Sequence, residues 1–574
     1  MWEGLAVRAN KIMKSELVEN IKSILEELGV KIPIVNFDTP THIELGDCST
    51  NVAMVYAKQL NKKPTELAEE IKNKLEDKKI EHLSKIDVVS PGFINFFFDR
   101  SYFGEVVKTV ISEKESFGNN ALLSGQKIII EYTDPNPFKE FHIGHLMSNS
   151  IGESISRIIE KEDAEVKRLS YGGDVGLHVA KTIWAIQKST ALSNYVDVKT
   201  LGGMYVIGNK SYEEDEQAKK EIDELNKIIF DKSDGEVNKL YEQGREVSIK
   251  YFQEAFIRLG TNFDRLFWES EMVNEGLKVV EEGLSKNILE KSDGAVIFKG
   301  EKYGLHTRVF VNSKGIPTYE AKELGLGVEK IKIFDFDKSI VITGNEQNEY
   351  FKVLLKAMDL LRPEVANKTI HIGHGMLRFA SGKMSSRTGN VITAESLISE
   401  VKDKILMKMA DREMSDDEKK EIAEIVTIGA LKYSILRQAI GGDIIFDFNK
   451  SISFEGDSGP YLQYATVRAN SLLKKAEKFD LEAELPSDWQ TTNLERILER
   501  FPHVVERAGL EYAPHYIATY LIDLAGEFNS FYASHKIIDE KDLTSPYRLA
   551  LTTSFVQVMT SGLDLLAIKV PSQM

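Results

Sequence analysis

The sequence predicts a multidomain α/β protein. A parallel-sheet core wound with helices follows an N-terminal α+β module and precedes a C-terminal α-helical bundle. Three observations predict this arrangement. The chain has 574 residues, more than a single hydrophobic core usually serves. Short apolar runs alternate with helical stretches between residues 126 and 395. Beyond about residue 420 the apolar spacing is helical.

The first predicted domain covers residues 1–118. Apolar spacing predicts an amphipathic helix over residues 15–28 and a charged helix over residues 64–75, and a strand follows over residues 92–98. Gly118 and Gly125 supply turn residues at the domain boundary. The N-terminus mixes charged residues and has no apolar stretch, so we expect no secretory signal, and Met13 is an alternative start.

The second predicted domain covers residues 126–395, with a helical insertion over about 201–260. Its short apolar runs predict strands of a sheet wound with helices: residues 128–130, 309–311, 331–334, 340–343 and 370–372. The third predicted domain covers residues 396–574, where an apolar stripe from Ile517 to Tyr532 indicates a helix bundle.

Charge and cysteine content exclude several classes of protein. Lys and Arg number 73 against 89 Asp and Glu, and the net charge of −16 argues against a generic nucleic-acid coat or an anionic-membrane binder. The single cysteine, Cys48, excludes an intrachain disulfide and any multi-thiolate zinc site. No window approaches the length of a membrane span. We therefore expect a cytoplasmic protein without a membrane partner.

The chain contains His-Ile-Gly-His twice, at residues 142–145 and 371–374. The first copy follows an apolar run and a turn with two prolines, and a helical pattern comes after it. A helix N-terminus at that point of an open α/β sheet favours phosphate, because its backbone N–H groups are unpaired. The second copy alternates like a strand and has no helix behind it, so His371 and His374 are predicted to be strand residues. The first copy is therefore the predicted nucleotide site.

Residues 142–145, followed by Lys383-Met384-Ser385-Ser386-Arg387, resemble the two signatures of class I aminoacyl-tRNA synthetases. The surroundings are similar to the arginyl-tRNA synthetases across essentially the whole chain, in order. The segments that support this resemblance are residues 46–51, 91–96, 173–176, 461–465 and 548–574. The resemblance implies a Rossmann-like catalytic domain between a tRNA-binding module and an anticodon-binding bundle.

The implied activity is the joining of L-arginine to ATP, giving arginyl-adenylate and pyrophosphate, and the transfer of arginine to its cognate tRNA. ATP would act with Mg²⁺ and without zinc, and a monomer is expected. Two alternatives stay open. One is a class I synthetase for another amino acid such as lysine, whose ammonium also seeks carboxylates; the other is a non-catalytic, synthetase-like tRNA-binding protein.

The resemblance assigns catalysis to His142, Gly144, His145 and Lys383. This chemistry needs donors and cations that stabilise charge on phosphates. The histidines would donate N–H groups to ATP, Gly144 would leave room for the nucleotide, and Lys383 would close over the pyrophosphate. ATP contacts are also expected from Met384 and Ser385 in the same loop.

A guanidinium has five donors and no acceptor, so its site needs carboxylate and amide oxygens. The resemblance implies these arginine-binding residues: Glu131, Asn136, Tyr319, Glu323 and Gln347, with Glu269 a weaker choice. For tRNA it implies Phe93 and Asn95 in the first module, and Tyr464, Arg468 and Tyr532 in the bundle, because unstacked bases are held by stacking and edge contacts.

The sequence departs from the family pattern at several of these positions. Ser386 and Thr388 stand where lysines are common, and Glu323 stands where the family usually has aspartate. Tyr350 replaces a common histidine, and Cys48 a common aromatic residue. The departures leave loop closure, the geometry of the amino-acid pocket and one stacking contact open.

Overall fold

The computed structural model describes residues 6–38, 40, 43–189, 197–379, 393–477 and 489–574. Its first module pairs a three-stranded antiparallel sheet, in the order β1-β3-β2, with helices. The elements are α1 Ala6–Glu27, β1 Cys48–Thr50, α2 Val52–Tyr56, α3 Pro64–Glu76, β2 Leu83–Val89, β3 Phe93–Phe98 and α4 Arg100–Glu113, with short 3₁₀ turns at Ile43–Leu45 and Lys114–Ser116. The two helices and the strand predicted for this module are confirmed, with α1 beginning earlier than expected.

The core that follows this module contains a parallel sheet of five strands in the order β11-β10-β4-β5-β6. Its elements are β4 Lys127–Glu131, α5 Ile143–Lys161, β5 Glu165–Gly172, α6 Leu177–Lys188, α7 Val198–Glu214, α8 Glu216–Asp231, α9 Gly235–Arg258, β6 Arg265–Trp268, α10 Glu269–Ser285, β7 Glu290–Ser292, β8 Ala295–Phe298, β9 Arg308–Val311, α11 Tyr319–Ile333, β10 Lys338–Gly344, α12 Asn348–Leu361, α13 Pro363–Ala366, β11 Thr369–His374 and β12 Leu377–Phe379. Further 3₁₀ turns lie at Gly300–Tyr303 and Asn345–Gln347.

The central strand β4 is buried on both faces, which explains why its apolar run does not alternate with polar residues. In register, Glu131 at its end lies beside Leu169 of β5 and Val341 of β10. The carboxyl ends of these parallel strands therefore meet at one edge of the sheet, where open α/β folds bind ligands.

Two predicted strands of this core need correction. Residues 331–334 were expected to be a strand, but Ile331 to Ile333 end helix α11. A run of four residues is too short for periodicity to separate a strand from a helix end. Residues 309–311 do form a strand, β9, but it belongs to a separate antiparallel sheet in the order β7-β8-β9.

The predicted helical insertion is present as α7, α8 and α9. Ile222, Leu225 and Ile229 lie on the buried face of α8 and pack with Val179 and Ile183 of α6. The charged residues of the insertion lie mostly on the opposite, solvent-facing side.

The C-terminal region is almost entirely helical, as predicted. Its elements are α14 Ala394–Lys408, α15 Asp416–Leu436, β13 Ile444–Phe446, α16 Phe448–Ser451, α17 Gly459–Ala476, α18 Asn493–Glu499, α19 Phe501–Leu510, α20 His515–Ser534 and α21 Ser545–Leu565. Strand β13 pairs with β12 of the core. None of the helices in the described ranges combines the length and apolar character needed to span a membrane.

The end of the chain packs on the helix that follows the first His-Ile-Gly-His. The buried Ser154 hydroxyl donates to the Leu565 carbonyl over 2.8 Å, and Arg157 Nη1 donates to the Asp564 carbonyl over 3.1 Å. Just beyond α21, the Ala567 carbonyl accepts from the fully buried Lys432 ammonium over 2.9 Å. Helix α5 is therefore hydrogen-bonded to α21, the last helix described above.

Candidate active site

His142 and His145 form a reciprocal cap at the N-terminus of α5. The backbone N–H of His145 donates to His142 Nδ1 over 3.3 Å, and the backbone N–H of His142 donates to His145 Nδ1 over 3.2 Å. The two rings stack with centroids 3.4 Å apart. A Cβ at Gly144 would lie 3.0 Å from the His142 ring, so glycine keeps this cap free of a close contact.

The cap determines which ring nitrogens carry protons. Each Nδ1 accepts a hydrogen bond, so in the neutral ring each Nε2 is a donor. Burial lowers the pKa of His142 to about 4, with the Lys139 charge a further cause. Burial also lowers the pKa of His145 well below its usual value. Both rings are therefore neutral at pH 7 and each offers one Nε2–H group.

Carboxylates collect at the carboxyl edge of the sheet. We call Glu131, Asp134, Glu269 and Glu323 the acidic cluster. Lys330 forms a 2.6 Å ion pair with Glu131, and Lys322 is paired with Glu269. Burial raises the pKa of Glu269 to about 7 despite that lysine.

The Glu323 carboxyl forms no hydrogen bond or ion pair within the described part of the chain. Burial raises the pKa of this half-buried carboxyl well above its usual range, and the charges of Glu131, Asp134 and Glu269 add to the effect while Lys330 opposes it. An unpaired carboxylate in this position strongly favours a cationic ligand.

Three other predicted arginine-binding residues differ in their exposure and in their contacts. Asn136 Oδ1 accepts from the Gly173 amide over 3.0 Å, so that oxygen already has a partner. Tyr319 begins α11 and is 55% exposed, and the Lys322 ammonium lies 4.7 Å from its ring centroid. Gln347 is exposed just before α12.

Lys383, Met384 and Ser385, with Ser386 and Thr388, lie outside the described residues. The first described residue after them, Thr393, forms an isolated β-bridge with His142. The amide of Ala394 also donates to the Phe141 carbonyl over 2.8 Å. The second His-Ile-Gly-His is strand β11, as predicted, where His371 stacks on Phe351 with ring centroids 3.9 Å apart.

The sequence analysis missed four polar residues of this edge. Asp174 is fully buried and accepts from Tyr241, Arg245 and both the amide and hydroxyl of Ser270, which fixes the start of α10. His178 bonds the Gly173 carbonyl over 2.9 Å. Asp134 accepts from the Tyr171 amide over 2.8 Å, and the charge of Lys139 acts on both histidine rings. The turn at residues 134–137 and the segment 173–178 were the available signals.

The predicted tRNA-binding residues lie in two parts of the fold, the first module and the bundle. Phe93 is half-buried at the start of β3, whereas Asn95 is buried in the same strand. In the bundle, the Arg468 guanidinium stacks 3.9 Å from the centroid of the Tyr532 ring, and Tyr464 is half-buried on the same helix as Arg468. Their roles stay predictions.

A capped histidine pair at the ligand-binding edge of a parallel sheet, followed by a helical bundle, defines a class I aminoacyl-tRNA synthetase. Residues 106–448 match the family of class I tRNA synthetase (R) catalytic domains. Residues 462–574 match the DALR anticodon-binding domain, and residues 13–98 the arginyl-tRNA synthetase N-terminal domain. The chain belongs to the arginyl-tRNA synthetase family.

Relatives match along nearly the whole length. An arginine–tRNA ligase of Clostridium kluyveri is 31% identical over 98% of this chain and 99% of its own. One of Clostridium botulinum is 30% identical over 94% and 95%. Among solved structures, the arginyl-tRNA synthetase of Thermus thermophilus has a TM-score of 0.79 at 24% identity, covering 98% of this chain and all of its own. That structure supports the fold.

Proposed function

We propose that this chain is an arginine–tRNA ligase whose acidic cluster binds the arginine side chain and whose capped histidines bind ATP. The enzyme activates L-arginine with ATP and transfers it to tRNA. The observation that most directly supports the choice of amino acid is Glu323. This half-buried carboxyl has no ion-pair partner among the described residues. Arginine would supply the missing charge and fill several acceptor sites at once.

The histidines would act as neutral donors in the activation step. As the arginine carboxylate attacks the α-phosphate, negative charge builds on the phosphate oxygens, and the two Nε2–H groups would stabilise it. Their depressed pKa values keep them in the donor form without adding charge. Lys139, whose charge acts on both rings, would place a cation on the same side.

Lys383 would add a second cation over the leaving pyrophosphate, with Met384 and Ser385 as nucleotide contacts. The β-bridge between Thr393 and His142 supports this role, because the chain returns to the histidines directly after the signature. We further propose that Mg²⁺ enters with the nucleotide, whose phosphates it prefers, and neutralises charge on them. Groups of His, Cys, Asp or Glu suited to a metal ion are absent from the described ranges.

The rest of the proposal concerns tRNA and the state of the enzyme. The first module, with Phe93 and Asn95, would contact the tRNA body, and Tyr464 and Arg468 would contribute to anticodon recognition. The enzyme would act as a monomer in the cytoplasm. Its single cysteine, Cys48, is buried, which suits a reducing compartment. The proposed domain limits are 1–118, 126–395 and 396–574.

Amino-acid-dependent ATP–pyrophosphate exchange tests the proposal. Purified protein is assayed with each amino acid, in the presence and absence of a tRNA pool, and aminoacylation is measured alongside. Of all the amino acids, only arginine is expected to support ATP–pyrophosphate exchange and to be joined to tRNA. Exchange supported by lysine but not arginine would contradict the assignment, as would aminoacylation that survives His145→Ala unchanged.

A further inference from the structure

Two buried tyrosine hydroxyls at the carboxyl edge have no hydrogen-bond partner. Tyr171 and Tyr350 are only 7% and 8% exposed, and neither phenol oxygen is hydrogen-bonded within the part of the chain that the structure describes. Leaving a buried hydroxyl unpaired is unfavourable, so native proteins contain few such groups. Two of them near one site point to a common ligand.

Tyr171 lies at the end of β5 and is held firmly. Its backbone N–H donates to Asp134 Oδ1 over 2.8 Å, which fixes the strand end against the turn after β4. Its ring packs in an apolar cluster between the sheet and helices α10 and α11, with Leu169, Phe267, Met272 and Leu326. The ring is therefore anchored, and the hydroxyl at its tip is its only polar atom.

Tyr350 lies in the first turn of α12. Its ring meets Phe351 edge-on with centroids 5.2 Å apart, and the Arg308 guanidinium lies 5.5 Å from its centroid. It packs in a second apolar cluster with Ala321 and Leu324 of α11. Both apolar clusters thus include residues of α11, the helix to which Glu323 belongs.

Both hydroxyls are subject to the charges of the same carboxylates. Burial is the main reason that the pKa of each phenol is raised well above its usual value. The next causes are Glu269 and then Glu323 for Tyr171, and Glu323 for Tyr350, and Tyr350 itself acts on Tyr171. The charge of Glu323 therefore acts on both phenols.

We propose that Tyr171 and Tyr350 are specificity-determining residues that bind the guanidinium group of arginine together with Glu323. The inference rests on the proposed function and adds to it the groups that distinguish arginine from other cations. Each phenol can donate its proton to a carboxylate of the acidic cluster and accept one guanidinium N–H. The planar guanidinium has donors on several sides and reaches both oxygens and Glu323. The three donors of an ammonium radiate from one atom, so lysine cannot present them in the spread, planar arrangement of a guanidinium.

The test uses Tyr171→Phe, Tyr350→Phe and the double variant in full-length protein. ATP–pyrophosphate exchange with tRNA present gives KM for arginine and for ATP. Each single variant is expected to raise KM for arginine roughly tenfold, the effect of losing one hydrogen bond to a charged group. KM for ATP should not change. The rise in Tm on adding arginine should shrink in parallel.

Thermal stability separates a ligand contact from a structural one. Because neither hydroxyl is hydrogen-bonded in the free protein, its removal should leave the Tm without arginine equal to or above that of wild type. Tyr520→Phe is the matched control: its buried hydroxyl donates to the Ile497 carbonyl over 3.0 Å in the bundle. That variant should lose stability and keep its KM for arginine.

The outcomes distinguish the two levels of the proposal. If wild-type protein shows no arginine-dependent exchange, the proposed function is wrong. If wild type is active but both tyrosine variants keep the wild-type KM for arginine, the role of the hydroxyls is overturned while the function stands. A fall in Tm without any change in KM would likewise overturn it, because the hydroxyls would then serve the fold.

Discussion

Replacing Glu323 by glutamine should stabilise the free protein and weaken arginine binding at the same time. Burial raises the pKa of this carboxyl above the value of an unfolded glutamate, and neighbouring carboxylates reinforce the shift. The folded state then binds the proton more tightly than the unfolded state. Stability contributed by the protonated form is present at low pH and is lost as pH rises through the folded pKa.

Glutamine does not titrate, so Glu323→Gln removes this loss. Each unit by which the folded pKa exceeds the unfolded one corresponds to about 1.4 kcal/mol of destabilisation once the group is ionised. Without arginine, the Tm of the variant should exceed that of wild type at pH 8, and the difference should narrow at pH 5. Differential scanning fluorimetry measures both.

Arginine binding should respond in the opposite direction. Loss of a charged acceptor facing a guanidinium costs about 1.5–3 kcal/mol, so KM for arginine should rise roughly 10- to 150-fold. The matched control is Glu329→Gln on the same helix, whose carboxylate pairs with Lys332 over 2.7 Å; its KM should not change. A lower Tm for Glu323→Gln at pH 8, or an unchanged KM, would refute the reasoning.

Three further predictions follow from other contacts. His145→Ala removes one of the two proposed phosphate donors and should slow ATP–pyrophosphate exchange about 100- to 1000-fold. The control is His503→Ala, which replaces an exposed histidine and should leave the exchange rate unchanged. Equal rates for the two variants would mean that His145 has no part in catalysis. Ser154→Ala removes the buried bond to Leu565 and should cost about 1 kcal/mol in chemical unfolding, with KM for arginine unchanged. Burial lowers the pKa of Lys432 to about 7. Its folded pKa lies below the unfolded value, so wild-type stability should rise between about pH 7 and pH 10, and Lys432→Met should lack that rise in urea unfolding.

The sequence predicted the fold well where the information is local. The helix that contains His145 and the strand before the turn follow from short-range apolar spacing, and both are present. The run at residues 331–334 was misassigned because alternation over four residues also occurs at a helix end, and only the packing of α11 on the sheet decides it.

The site was predictable only where a motif names its residues. The pairing of Glu131 with Lys330, and the support of Ser270 by Asp174, join residues that are distant in the chain. Spacing contains no information about such contacts. That Glu323 would be left without a counter-ion in the described structure depends on those same pairings, so it emerged only from the three-dimensional arrangement.

The contact between α5 and the end of the chain has a consequence for biosynthesis. Ser154 and Leu565 are 411 residues apart in the chain. At about 5–20 residues per second, a ribosome needs roughly 20–80 s to make the intervening segment. During that time the histidine helix exists without one of its neighbours, and its buried serine has no acceptor from α21. Helix α5 therefore reaches its final packing only after Leu565 has been added to the chain.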